Sequence, residues 1–116
     1  MLKKLARPST TLFRVDKFIV PAAARDEFLD QVSRTGALLG TLAGCLQSHI
    51  LEQASRSGEV SIVTIVEWDR AESIEQARAE VRAMQRRMGV DPQEMLARLG
   101  IRADMASYSP VDQARG

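Results

Sequence analysis

Two charged residues stand two positions apart, Arg14 and Asp16, in a segment otherwise rich in apolar side chains, Leu12-Phe-Arg-Val-Asp-Lys-Phe-Ile-Val20. On a strand that spacing places both on one face, here shared with Leu12, Phe18 and Val20. A carboxylate in such surroundings is a candidate general base, and a guanidinium beside it a candidate donor to developing negative charge. The plainer alternative is a satisfied ion pair. Trp68 closes a second apolar strand, and its indole offers a flat wall for an aromatic ring plus one N–H donor, or simple core packing. His49 is the single histidine, the one side chain with an unperturbed pKa near neutrality, and shares a strand face with Gln47 and Leu51. Tyr108, the single tyrosine, is either a further donor at the pocket or a cap on the last strand. Arg78, Arg82 and Arg86 recur every four residues on a helix. At about 100° per residue they fall about 80°, about 120° and about 160° from the centre of its apolar stripe. Arg78 is therefore the arginine expected to reach an acidic or phenolate group, and the other two read as solvated charges.

The elements that must position these residues follow from period and punctuation. Leu12 to Val20 is a first strand, ended by Pro21, which cannot donate a ladder hydrogen bond. Pro21 also suits the first turn of a helix, in which Leu29, Val32, Gly36 and Leu39 recur at helical spacing until Gly40 to Gly44. Cys45 to Gln53 and Val60 to Trp68 are two strands joined by the turn Ala54-Ser-Arg-Ser-Gly58, hence a hairpin. Asp69 is expected to cap the next helix, with Glu72 three residues on as its capping-box partner. Ile74, Ala77, Val81, Met84 and Met88 form that helix's apolar stripe, which stops at Gly89. Asp91-Pro92 opens a short helix to Leu99, and Ile101 to Tyr108 is a last strand before Pro110.

The order βαββαβ predicts an α+β, ferredoxin-like domain: a four-stranded antiparallel sheet with its helices on one face. Both faces of the strands are apolar, however. Val60, Ile62, Val66 and Trp68 oppose Val63 and Ile65, while Phe13, Val15 and Ile19 oppose Leu12, Phe18 and Val20. A half-solvated sheet alternates more cleanly, so a second copy packing sheet on sheet is expected, a homodimer. Residues 1–10 are expected to be a mobile arm, 11–111 the single domain and 112–116 a tail.

Composition narrows the function classes. The 116 residues suffice for one core, and the net charge of +1, from 16 basic and 15 acidic residues, provides no field for gathering nucleic acid or an anionic membrane. An RNA-binding sheet of the same order would need exposed aromatics, and the chain has only five. One cysteine and one histidine make no metal cluster, so no metal is expected. No apolar run is long enough to cross a bilayer. With the lone cysteine, that reads as a cytoplasmic protein.

Residues 12–111 resemble the antibiotic biosynthesis monooxygenase family of the dimeric α+β barrel superfamily. The likeness is carried by Phe13-Arg-Val-Asp-Lys-Phe-Ile-Val-Pro21, by Gly44 before strand two, and by the junction Val63-Thr-Ile-Val-Glu-Trp-Asp69. Met95-Leu-Ala-Arg-Leu-Gly-Ile-Arg-Ala-Asp104 with Tyr108-Ser-Pro110 adds to it. The resemblance implies a homodimer whose sheets form a barrel, with a pocket in each subunit between sheet and helices. It also implies oxidation of small aromatics, quinols or polyketide-like compounds by O₂ with no cofactor, or a non-catalytic, ligand-binding or ancillary protein of the same fold. Under it Trp68 lines the pocket and a polar residue of strand one contributes, so Asp16 and Trp68 are the expected catalytic residues. Arg14, His49, Arg78 and Tyr108 are the expected substrate-binding ones. Haem-degrading members use an Asn, Trp and His set; the second helix here has no histidine and Asp16-Lys17 stands where the Asn is expected, which argues against haem.

Overall fold

The computed structural model describes residues 10–54 and 57–111. Residues 1–9 of the arm expected over 1–10, the tail over 112–116 and the centre of the 54–58 turn lie outside the described residues.

Strand β1 (Leu12–Pro21) leads through one 3-10 turn (Ala22–Ala24) into helix α1 (Arg25–Leu39). Strands β2 (Cys45–Ala54) and β3 (Glu59–Trp68) form the expected hairpin. Helix α2 (Ala71–Met88), helix α3 (Pro92–Leu99) and strand β4 (Arg102–Tyr108) complete a ferredoxin-like βαββαβ fold. The sheet runs β2-β3-β1-β4 and every pairing is antiparallel. The two central strands are therefore β1 and β3, the most apolar in the chain. Asp91 caps α3 by accepting from the N–H groups of Gln93 and Glu94, with Pro92 in the first turn as its fixed φ favours. Helix α2 ends where Gly89 turns left-handed at φ 67° and Val90 N–H reaches back to Gln85.

Asp69 does not cap α2. The residue at that position is Arg70, without a side-chain cap bond. Asp69 instead accepts from Ser73 Oγ at 2.6 Å, its N–H donates to Gly44 O at 2.9 Å, and its own carbonyl accepts from Thr10 Oγ1. The local capping pattern loses to a tertiary contact: the chain entering β2 passes directly over the start of α2. Gly44 makes this crossing possible at φ 88°, since a Cβ there would lie 2.2 Å from Ser73 Oγ and 2.6 Å from Asp69 Oδ1. A β-bulge follows at once, with Leu46 the extra residue between the pairs Cys45–Trp68 and Gln47–Glu67.

Beneath the helices the apolar residues divide into two clusters. One gathers Phe18, Val20, Phe28, Ile62, Met95 and Ile101, anchored by an edge-to-face contact of the Phe18 and Phe28 rings at 4.8 Å. Phe28, absent from the expected α1 stripe, is its most buried helix residue, and Leu29 packs beside it only partly buried. The other cluster gathers Val66, Trp68 and Ala77, with Leu39, Leu42, Cys45 and Ile74 against them. Leu39 thus lies at the Trp68 end of the sheet and Phe28 at the Phe18 end. Trp68 pairs with Leu12, so α1 runs back along β1 towards that strand's beginning.

Candidate active site

The two clusters are separated by a polar belt. On β3, Thr64 stands between Ile62 and Val66; opposite it on β1 is Asp16, and opposite Val66 is Arg14. Directly paired residues of an antiparallel sheet share a face, so these three side chains point towards the helices with Phe18 and Trp68. A cavity of about 440 Å³ opens over this belt, between the sheet and all three helices. That volume suits a small organic molecule of a few rings. Its walls are chiefly apolar: Phe18, Val66 and Trp68 from the sheet, Phe28 and Leu39 from α1, and Ile74 from α2.

Asp16 and Arg14 are held to each other, Arg14 Nε donating to Asp16 Oδ1 at 2.9 Å. The pair lies along one central strand rather than across a sheet edge. Their side chains remain 20% and 30% exposed, so both can be reached from the cavity. Burial pushes the Asp16 carboxyl above its ordinary value, and this outweighs the opposing attraction and hydrogen bond of Arg14. A carboxylate so placed takes up a proton more readily than a solvated one. Trp68, 3% exposed, forms one end of the cavity and is also the centre of the second apolar cluster.

The remaining candidates separate. Arg78 lines the cavity, its guanidinium tied at 2.9 Å to Glu75 one turn earlier. Arg82, read from the helix angle as solvated, lines it too, whereas Arg86 does not. The cavity widens the exposed flank of α2 beyond the stripe that touches the sheet, and a flexible arginine spans the difference. His49 borders the cavity between Ser48 and Ile50, but it pairs with Ile65, a position on the opposite face, and its ring Nε2 meets Gln47 Oε1 at 3.0 Å. Tyr108 pairs with Phe13 and so also belongs to the face without helices, 47% exposed and outside the cavity. The residue of β4 that enters the wall is Met105, opposite Asp16.

The wall also carries polar residues to which the sequence analysis assigns no role, among them Gln31, Thr35, Ser48, Gln85 and Gln93. Among the described residues no group of three His, Cys, Asp or Glu side chains converges to hold a metal ion, and no helix is long and apolar enough to cross a membrane.

No protein-family model and no curated protein matches the sequence. Solved structures do match its shape. SnoaB of Streptomyces nogalater, a cofactor-independent oxygenase, aligns over 92% of this chain and 99% of its own, with 18% identity and a TM-score of 0.64. A Deinococcus radiodurans protein, provisionally described as an antibiotic biosynthesis monooxygenase, aligns over 90% and 96% with 13% identity and a TM-score of 0.68. A Nitrosomonas europaea protein with the same provisional description aligns over 97% and 100% with 11% identity and a TM-score of 0.68. The chain therefore has the α+β, ferredoxin-like fold shared by a cofactor-independent oxygenase and by structures provisionally described as antibiotic biosynthesis monooxygenases.

Proposed function

We propose that this protein is a cofactor-independent monooxygenase acting on a small aromatic, quinol or polyketide-like compound. The observation that carries the reading is the convergence of Asp16, Arg14 and Trp68 on one largely apolar cavity, at the only polar break between two apolar clusters of the described residues. The likeness of fold to SnoaB supports it.

In this reading Asp16 is the base. It takes a proton from an acidic C–H of a substrate lying against Trp68, and the anion left behind passes electrons to O₂. The new C–O bond carries a terminal oxygen, which regains the proton from Asp16. Loss of water, with the second hydrogen of the same carbon, leaves a carbonyl. The balance is CH₂ plus O₂ giving C=O plus H₂O, with no outside reductant. Arg14 and the Trp68 indole N–H would steady the anionic oxygens, and Arg78 an acidic group of the substrate near the mouth. His49 and Tyr108, on the other face, take no part.

That other face supports a homodimer. Phe13, Val15, Ile19, Val63 and Ile65 are only half-buried there, Leu51 and Tyr108 are exposed, and no helix covers them. A second sheet packed upon it would remove this apolar surface from water. Light scattering at micromolar concentration should give twice the chain mass, and a monomer would sink this part of the proposal. A reducing cytoplasm fits the single free Cys45.

The test of activity is oxygen uptake by the purified, metal-free protein with a panel of quinols and anthrone-type phenols, beside Asp16→Asn and Trp68→Phe. Uptake above autoxidation that falls in either variant is expected. No uptake across the panel, with the variants folded, would favour a ligand-binding or ancillary protein instead.

A further inference from the structure

A peroxide readily converts a thioether from apolar to polar, and among the described residues the cavity wall holds two, Met95 and Met105. Met95 is buried in the Phe18–Phe28 cluster. Met105 is 43% exposed and is the only residue of β4 in the wall. Strand β4 is an edge of the sheet, and the residues sharing Met105's face on it are small: Ala103, opposite Phe18, and Ser107, opposite Arg14. The thioether therefore stands clear at the open rim of the cavity. This is the helix side of the sheet, so a second sheet packed on the other face leaves it reachable.

Its neighbours give the oxidation a consequence. Met105 is paired directly with Asp16, which sets the two Cβ atoms about 5 Å apart. Arg14 is the diagonal neighbour on the same face, at about 7–8 Å, within reach of two long side chains. Arg14 Nε is taken by Asp16 Oδ1, while its two terminal nitrogens have no partner among the described residues. A thioether sulfur accepts weakly from such donors, whereas a sulfoxide is polar and carries an accepting oxygen. Oxidation thus sets a polar oxygen beside the Arg14–Asp16 pair and offers the guanidinium a second acceptor.

We infer that Met105 is a modification site for hydroperoxides, and that its sulfoxide closes the cavity to apolar ring systems. The step is a two-electron oxygen transfer. The sulfur lone pair attacks the terminal oxygen of R–O–O–H, the O–O bond breaks, an S–O bond forms, and the proton leaves with the other oxygen as R–O–H. Sulfur is oxidised and the peroxide reduced, with no further reagent. Two sources share this chemistry: hydrogen peroxide from solution, and the carbon-bound hydroperoxide of the reaction proposed above, whose terminal oxygen forms beside Asp16. Only the second source rests on the oxygenase reading.

Trp68 is the only tryptophan and lines the cavity, so quenching of its fluorescence by anthraquinone-2-sulfonate reports occupancy. Wild type, Met105→Leu and Met88→Leu should be treated with hydrogen peroxide, mapped for sulfoxide by mass spectrometry and titrated with that probe. Met88 is the control, 37% exposed on α2 but outside the cavity. Sulfoxide is expected at Met105 and Met88 and not at Met95, with about a tenfold loss of affinity in wild type and in Met88→Leu. Met105→Leu, which keeps the volume, should bind alike before and after treatment, and this excludes Cys45 or Trp68 as the group responsible. Methionine sulfoxide reductases should restore the wild type. The inference is overturned by a Met105 that stays reduced while Met88 is oxidised, by a Met105 sulfoxide that leaves affinity unchanged, or by an equal loss in Met105→Leu. An untreated wild type that does not bind the probe overturns it as well. Turnover in air without added peroxide separates the sources. Sulfoxide at Met105 in wild type but not in Asp16→Asn identifies the hydroperoxide formed in the cavity, and its absence from both leaves hydrogen peroxide as the oxidant. Oxygen uptake with an insensitive Met105 removes the inference alone, and a sensitive Met105 without uptake removes the oxygenase reading alone.

Discussion

Replacing Gly44 with alanine probes the crossing that sets Trp68 at the end of the cavity. The magnitude has two parts. Holding a non-glycine residue at φ 88° costs about 1–2 kcal/mol. The added Cβ would then lie 2.2 Å from Ser73 Oγ, 2.5 Å from Ser73 Cβ and 2.6 Å from Asp69 Oδ1, so the first turn of α2 must shift; overpacking of this kind costs about 1–3 kcal/mol. Gly58 supplies the control. It has a similar φ of 78°, yet none of the described residues lies within 4 Å of a Cβ built there, so Gly58→Ala carries the conformational cost alone. Any stiffening of the unfolded chain by alanine is the same in both variants and cancels. At about 4 °C per kcal/mol for a chain of this size, Gly58→Ala should melt about 4–8 °C below wild type. Gly44→Ala should melt about 8–20 °C below it on the same scale. Circular dichroism melts at one protein concentration make the comparison. Equal melting temperatures for the two variants would show that the chain does not pass over α2 as described, and the placement of Trp68 would fall with it.

Asp16→Asn tests the buried carboxyl through pH. The folded value lies above the unfolded value of 3.8, so the folded state holds the proton more tightly. The stability contributed is fully present below 3.8 and is lost as pH rises through the folded value. Urea unfolding should therefore show wild type losing stability relative to Asp16→Asn as pH is raised from about 3.5 to 7, and the opposite slope would contradict the burial of this group. Phe28→Ala removes the 4%-exposed ring that joins α1 to the sheet and should cost about 3–5 kcal/mol in the same assay. A loss below about 1 kcal/mol would mean that the Phe18–Phe28 contact is not formed. Trp68→Phe keeps a ring against Val66 and Ala77 but loses the indole N–H, and oxygen uptake should fall about tenfold, near 1.4 kcal/mol of transition-state stabilisation. Unchanged uptake would reduce Trp68 to a wall.

Much of the fold is legible in the residues because the period of each strand and helix agrees with its ends. Pro21, Gly89, Pro92 and Gly100 fall at element boundaries, and the face shared by Arg14, Asp16 and Phe18 follows from alternation alone. What escapes is what depends on neighbours distant in sequence. Asp69 and Glu72 have the spacing of a local cap, but the backbone of Gly44 arrives from 25 residues earlier and engages Asp69 instead. Arg82 and Arg78 cannot be ranked from helix angle, since the angle finds the residues that touch the sheet and a hollow has a wider rim. Tyr108 and His49 could be placed only once the register was known, because a shift of one residue moves a strand side chain to the opposite face.

The division of the interior into two apolar clusters makes the bound molecule a part of the architecture. The cavity lies between the two clusters, so a ligand seated there would act as the missing keystone between the Phe18 and Trp68 ends. Linkage then converts occupancy into rigidity. A ligand at a hundred times its Kd adds about 2.7 kcal/mol to the folded state, and hydrogen exchange should slow most along α1 from Gln31 to Gly36. A thermal-shift screen can therefore recognise the natural ligand class from stability alone, before any reaction is observed.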